Sequence, residues 1–549
     1  MKKRYSVLMA AAMACTVLIA GCGDKDENVA PTAGASEKPE PKKDITVSIY
    51  DRGTVPPEEG TIENNRWTKW LNEQGPANVK FVAIPRWEST QKYNTLFASG
   101  SAPDLIFEYD SGYRNQLYTQ KQLRPLDDLI EKYSPNYKKM LEKYPALKKV
   151  STREDGKMYE LGRVNELKPN HALFIRSDWL KKLNLEVPKT AEDLLKVAKA
   201  FTEQDPDGNG KKDTFGIGLS FIGDQIIDYA FGAGTDWALK DGKVVHAWDR
   251  VKAAADYKKQ LFDAGVVDKD YLADTKGEKS KQDWLSGKLG IYGANGGASD
   301  QGLLDSFMKN NPTGEYIPIQ IPETSIGKFS PVITNPVQMV AAVTSSAKNP
   351  DAVMKYYDFL LDEDTAVVLR NGFEGEQYSI VDGCPTVISA EKNKLERGYI
   401  GDVQMPLPAD PEDKCGGWNG YMNPRFTDKT SDWDKKVALR RAEIAKEALK
   451  LYIDKDRPMG ALTHGEHMPP LPQDLQLTVT NATKAMKDIW AKSVVNGTGY
   501  TTDMALKDAM AAWEKAGGAK VDEFYAKWYD SKKDTAFLTK DMYEFATKK

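Results

Sequence analysis

From Ile45 to Phe107 the chain alternates strand-like and helix-like segments separated by short breaks, and this order constrains the fold more than any other feature. Ile45–Tyr50 alternates and is rich in β-branched residues, so it reads as a strand. Thr61–Gln74 reads as a helix ended by Gly75-Pro76; Val79–Ile84 is a second strand stopped by Pro85. Ser89–Ser99 is helical, Gly100–Pro103 turns, and Asp104–Phe107 is a short buried strand. Strands separated by helices run parallel, because each helix carries the chain back to the same end of the sheet.

A second series starts with the strand Ala172–Arg176. A short helix opens at Asp178 and ends near Leu185, and Thr190, with Asp193 three residues on, caps a helix over Leu194–Phe201. Gly216–Phe221 and Leu289–Tyr292 read as strands flanking a helix over Arg250–Ala264. Gln338–Val343 is a further strand, and Asn349-Pro350 starts a helix over Asp351–Leu361. The last third is mainly helical, over Asp434–Ile453, Asp474–Val495, Asp503–Trp513 and Val521–Tyr529. The expected class is α/β with at least two sheets and a large helical complement.

The amino terminus points outside the cell. Met1-Lys2-Lys3-Arg4 precedes an apolar run from Tyr5 to Ala20, too short for a span of about 20 residues. It stops at Ile19-Ala20-Gly21-Cys22, which resembles a bacterial lipobox. The resemblance implies a diacylglyceryl group on the Cys22 thiol and cleavage before it; an ordinary signal peptide is the alternative. Gly23–Lys43 has almost no large apolar side chains and is rich in Pro, Glu, Lys, Ala and Ser, so it reads as a disordered tether.

Losing Lys2, Lys3 and Arg4 takes the formal charge from −4 to about −7. Acidic and basic residues are interspersed, with no basic stripe, which argues against a nucleic-acid partner. Of the four cysteines, Cys384 and Cys415 remain as a candidate disulfide in an oxidising location, or as two separate thiols.

Asp205-Pro-Asp-Gly-Asn-Gly-Lys-Lys-Asp213 has the spacing of a calcium loop. Asp205, Asp207 and Asn209 offer side-chain oxygens at alternate positions, Gly210 permits the sharp turn, Lys211 offers its carbonyl, and Asp213 sits at the ninth position. The twelfth position is Gly216 rather than Glu, so this is no helix–loop–helix sensor; a polar turn without metal is the bland reading. His464-Gly-Glu-His467 lacks the HExxH spacing and reads as a loop, and no nucleophile motif occurs. Trp87, Tyr109, Trp237, Trp248, Trp418 and Tyr421 stand among Gly, Asn and Asp. Core packing explains any one of them, but together they suit a pyranose, whose C–H face stacks on a ring while its hydroxyls need polar partners.

Leu18–Cys22, Gly100–Ile106, Phe174–Leu180, Pro188–Thr190, the calcium loop, Asn349–Val353 and Gly517–Asp530 together resemble the extracellular solute-binding proteins of ABC importers, family 1. The similarity is to the large oligosaccharide-binding branch that includes alginate-binding proteins. It implies a two-lobe periplasmic-binding-protein-like fold (type II), with mixed sheets, hinge segments and a helical C-terminal region. Expected boundaries are residues 44–165 and 300–395 for one lobe, and 166–299 and 396–549 for the other, after signal 1–21 and tether 22–43. Thr214 stands where the alginate-binding relatives carry an acid after the last Asp, which leaves the ion one ligand fewer or a water.

The resulting expectation is a lipid-anchored, monomeric receptor on the outer face of the cytoplasmic membrane. It closes on an oligosaccharide, which it delivers to the importer's membrane subunits. Trp237, Trp418, Tyr109, Arg52, Trp87 and Asn295 are the candidate ligand contacts. Arg52 and Tyr109 follow strands, where α/β crevices form. The alternatives are a surface glycosidase or lyase, and a peptide receptor on the same scaffold.

Overall fold

The computed structural model describes residues 41–295, 301–410 and 413–547. The signal segment, Cys22 and Gly296–Gly297 of the turn after Asn295 lie outside them. Strands β1 (Lys43–Asp51), β2 (Ala77–Pro85), β3 (Leu105–Phe107) and β4 (Leu161–Val164) precede β5 (His171–Arg176) and β6 (Phe215–Ile217). The hairpin β7 (Trp237–Lys240) and β8 (Lys243–His246) follows, then β9 (Leu289–Asn295), β10 (Tyr316–Ile319) and β11 (Val337–Val343). A second hairpin, β12 (Tyr378–Val381) and β13 (Cys384–Val387), comes last.

One sheet has the order β2-β1-β3-β11-β4, and another β10-β5-β9-β6. In the first sheet β1 runs parallel to β2 and β3, with Asp51 opposite Pro85 and Val47 opposite Leu105, so the three carboxyl ends leave the same edge, β3 two residues earlier than the others. In the second, β5 is antiparallel to β9 and β10, and β6 is parallel to β9. Each sheet has its own apolar core: Ile45, Leu105 and Val340 lie in one, and Phe174, Ile291 and Trp284 in the other.

Several local boundaries differ from the sequence reading for identifiable reasons. The first helix is Arg66–Gln74, not Thr61–Gln74: the Asn65 side chain accepts from the N–H groups of Trp67 and Thr68 and caps it there. The strand expected over Gly216–Phe221 ends at Ile217, because Phe221 adopts φ 50° and launches a helix over Ile222–Ala230. The packing partner does not change at residue 300. Leu303–Ile321 belong to the second core, since β10 is hydrogen-bonded to β5, while Tyr399–Leu407 and Met459 join the first.

The cores are joined by chain segments that lie side by side. Residues 165–170 and 332–336 run antiparallel, with Asn165 N–H donating to Pro336 O at 2.9 Å and Thr334 N–H to Lys168 O at 3.0 Å. They continue the β4–β11 and β5–β10 pairings into one two-stranded ribbon. A third segment joins them through a parallel bridge between Ser330 and Met459. The C-terminal helices form a third apolar cluster around Trp513, Val521 and Tyr525. Among the described residues no helix is long and apolar enough to cross a membrane.

Candidate functional site

The carboxyl ends of β1, β2 and β3 deliver Tyr50 and Arg52, then Arg86 and Trp87, then Glu108 and Tyr109 to one edge of the first sheet. The Tyr50 and Tyr109 rings stack, with centroids 5.7 Å apart. The Arg86 guanidinium lies over three rings, 4.9 Å from Tyr50, 5.1 Å from Trp87 and 5.0 Å from Tyr109. Arg52 grips Asp402 through two hydrogen bonds, at 2.7 and 3.0 Å, and its guanidinium is 5.6 Å from the Trp87 ring. Tyr109 Oη donates to Asp402 Oδ1 at 3.2 Å. Burial pushes this phenol up to about 12, with Arg163 pulling the other way. Trp87 is 78% exposed, so its indole face is open to a ligand.

A depression of about 400 Å3 lies between Arg86, Trp87, Tyr109 and Asp110. A second, of about 770 Å3, begins at the next residue, Ser111, and runs past Tyr118 and Met339 to Met468 and Trp528. Three of the residues expected from sequence, Arg52, Trp87 and Tyr109, therefore share one wall. Arg86 and Asp402 complete it. Arg86 follows the proline that ends β2 and carried the same signal as Trp87; nothing near Asp402 in the sequence marks it.

The joining ribbon adds a polar patch. Arg163 Nη2 donates to Gln338 Oε1 at 3.1 Å. Glu466 accepts from the Asn335 and Gln338 amides at 3.0 and 3.2 Å, and His467 Nε2 meets Asn335 Oδ1 at 2.7 Å. The His464–His467 loop thus anchors the C-terminal third to the ribbon. Glu166 accepts the Trp418 backbone N–H at 2.7 Å, and Lys168 Nζ lies 6.0 Å from the Trp418 ring. Burial raises Glu166 and lowers Lys168 from their ordinary values.

The other expected contacts are placed differently. Trp418 is only 3% exposed; it packs against the ribbon rather than offering a face. Trp237 belongs to the third cluster: its ring is 4.4 Å from Tyr525 and its Nε1–H donates to Asp522 Oδ1 at 2.8 Å. Its neighbouring polar residues satisfy a buried indole and leave no platform for a sugar. Asn295 ends β9 opposite His171. Cys384 and Cys415 are disulfide-bonded, which ties the β12–β13 hairpin to the segment carrying Trp418.

The loop after the helix Ala191–Glu203 curls around its own polar groups. Asp205 Oδ1 accepts from the N–H groups of Gly208 and Asn209, both at 3.1 Å, and Oδ2 from Gly210 at 3.0 Å. The Asn209 amide donates to Asp207 Oδ2 at 2.7 Å and Asp213 Oδ1 at 3.0 Å. The Lys211 N–H donates to Asn209 Oδ1 at 2.7 Å. Gly216 holds the twelfth position because the helix backbone is against it: a Cβ there would stand 2.2 Å from Ala198 O. Among the described residues no group of three or more His, Cys, Asp and Glu side chains is gathered in metal-holding geometry.

Residues 66–367 match the family model described as bacterial extracellular solute-binding protein. The chain is 24% identical to lipoprotein LipO of Bacillus subtilis (strain 168), across 97% of this chain and 99% of that protein. It is 35% identical to the fructooligosaccharide ABC transporter substrate-binding protein FusA of Streptococcus pneumoniae serotype 4, across 41% of this chain and 43% of that one. Among solved structures it resembles alginate-binding protein AlgQ2 without calcium ion, with TM-score 0.62 and 19% identity over 90% of this chain and 99% of that one. That likeness concerns the fold alone, a two-lobe substrate-binding architecture. Since the family model covers more than half of the sequence and the fold agrees over nearly its full length, the chain belongs to the bacterial extracellular solute-binding proteins.

Proposed function

We propose that the protein is the oligosaccharide receptor of an ABC importer, tethered outside the cytoplasmic membrane by a lipid on Cys22. The observation that carries the ligand class is the open Trp87 indole beside Arg52, Arg86, Tyr109 and Asp402. A flat apolar ring face flanked by forked donors and a carboxylate matches a sugar, which is apolar on its C–H faces and polar around its rim. Trp87 stacks on the sugar, while Arg52, Asp402 and Tyr109 reach its hydroxyls. Those three are already hydrogen-bonded to one another, so they are held in place before the ligand arrives.

The names of relatives support this reading: FusA is named for fructooligosaccharides and AlgQ2 for alginate. Closure brings the second core toward the first about the ribbon of residues 165–170 and 332–336, and release returns the sugar unchanged. The membrane subunits of the importer are the receiving partner. The protein acts as a monomer.

Calcium is the proposed structural ion of residues 205–213. The donor set fits a hard cation: three carboxylates, the Asn209 amide oxygen and the Lys211 carbonyl. The Asn209 amide already spans Asp207 and Asp213. An ion here would pin the turn between the helix Ala191–Glu203 and β6.

A titration of the purified protein with oligosaccharides, followed by product analysis of the same samples, tests the reading. Saturable binding with intact glycan supports it. Chain cleavage would favour a glycosidase or lyase instead, and binding of peptides alone would overturn the ligand class. Retention in the membrane fraction that is lost in Cys22→Ser supports the anchor.

A further inference from the structure

The cations and carboxylates around the proposed sugar site are unevenly committed. Three of the arginines near it have acidic partners: Arg52 pairs with Asp402, and Arg114 and Arg153 both pair with buried Glu160. The carboxylates are occupied as well. Glu108 Oε1 accepts from Tyr50 Oη and from the Asp110 N–H, both at 2.7 Å. Asp110 caps the helix Ser111–Thr119, Glu166 holds the Trp418 N–H, and Glu466 holds two amides. Glu88 and Glu154 face solvent.

Two arginines are left over, and one lysine is only partly offset. Arg86 touches only aromatic faces, and its Nε is buried without an acceptor. Arg163 bonds only the neutral amide of Gln338, and its Nε is likewise unpaired. Lys168 sits over the Trp418 ring; Glu166 favours its charge and Arg163 opposes it, so it is only partly offset. Arg86 lies over the Tyr109 ring, and the charge of Arg163 also acts on the Tyr109 phenol. Guanidinium donors buried without an acceptor call for an anion from outside.

We infer that the ligand is an acidic oligosaccharide, whose anionic ring substituents are held by Arg86, Arg163 and Lys168. This rests on the oligosaccharide reading above and narrows it. The neutral face of each sugar still stacks on Trp87, while the free guanidinium forks and the ammonium select for charge.

Titration calorimetry on the full chain tests this with three sets of trisaccharides. These are uronate and sulfated trimers, their methyl-esterified or desulfated counterparts, and neutral fructo-, malto- and xylo-oligosaccharides. The expected result is at least about 10-fold tighter binding of an acidic trimer than of its neutralised counterpart, the size of one charge-assisted hydrogen bond. That preference should shrink as salt rises from 20 to 500 mM, values chosen to span strong and weak screening, about 20 Å to under 5 Å. Arg163→Gln and Arg86→Gln should each close much of the gap between the acidic trimer and its neutralised counterpart. Arg86 lies on the surface of the rings, so its variant keeps the test informative if Arg163→Gln misfolds. The uronate and sulfate arms identify which anion is recognised. Equal or tighter binding of neutral sugars would overturn the charge preference and leave the oligosaccharide reading standing. Binding of no member of any set would overturn both.

Discussion

Replacing Trp87 and Trp237 by alanine, one at a time, should separate a ligand platform from a core residue. Trp87 is 78% exposed and Trp237 only 9%. Removing an exposed side chain changes stability by about 0.5 kcal/mol or less, so Trp87→Ala should melt within a degree or two of the parent. A sugar face that covers about 80 Å2 of apolar surface on this indole is stabilised by about 2 kcal/mol, at roughly 25 cal/mol per Å2. Its loss should weaken binding about 30-fold. Trp237→Ala should do the reverse. It opens a cavity beside Tyr525 and Trp513 and leaves Asp522 Oδ1 with only its His246 contact, costing about 3–5 kcal/mol of stability. The affinity of the molecules that remain folded should not change. Calorimetric titration and thermal melts on both variants give the four numbers. The reasoning fails if Trp87→Ala binds within twofold of the parent, or if folded Trp237→Ala binds sugar markedly less well.

Other outcomes follow from the same geometry. Asp522 accepts from the indoles of Trp237 and Trp513, both at 2.8 Å, and pairs with His246 at 3.1 Å. Asp522→Ala leaves two buried N–H groups unpaired and should cost about 2–5 kcal/mol by denaturant titration. Burial raises this carboxyl, but its hydrogen bonds to His246 and the two indoles outweigh that and hold it below the usual carboxylate range. Its stabilisation is therefore full at neutral pH and lost as pH falls through the depressed value. A melting curve whose acid slope is unchanged in Asp522→Ala would contradict this. Removing the Cys384–Cys415 link by double serine substitution should cost roughly 3–4 kcal/mol in the chain-entropy model, read from melts with and without reductant. Millimolar calcium should raise the melting temperature, chelator should lower it, and Asp207→Ala should abolish the response without changing sugar affinity. No shift in the parent would remove the ion.

Much of the fold was legible in residues whose role is local. β1 and β2 announce themselves by alternation and β-branching, and the Thr190 cap with Asp193 is present as read. The crossing between cores was not legible. Tyr316–Ile319 contains a proline and pairs as an edge strand with β5, a partnership that depends on chain 140 residues away. At the site, Arg52, Trp87 and Tyr109 could be read because they follow strands, and strand ends are set by nearby sequence. Trp237 and Trp418 could not. Their polar neighbourhoods look like sugar sites, yet Asp522 takes the Trp237 indole N–H and Glu166 the Trp418 backbone N–H, from 285 and 252 residues away. Arg86 and Arg163 were missed for a related reason: a cation without a partner is recognisable only once every nearby carboxylate has been assigned.

The most direct measurement is a crystal structure of the protein with the tightest-binding oligosaccharide from the titrations. A sugar ring lying flat on Trp87 at van der Waals distance, with hydroxyls or acidic groups on Arg52, Arg86 and Asp402, is the expected result. A glycan bound elsewhere, with the Trp87 indole still facing solvent, would contradict it.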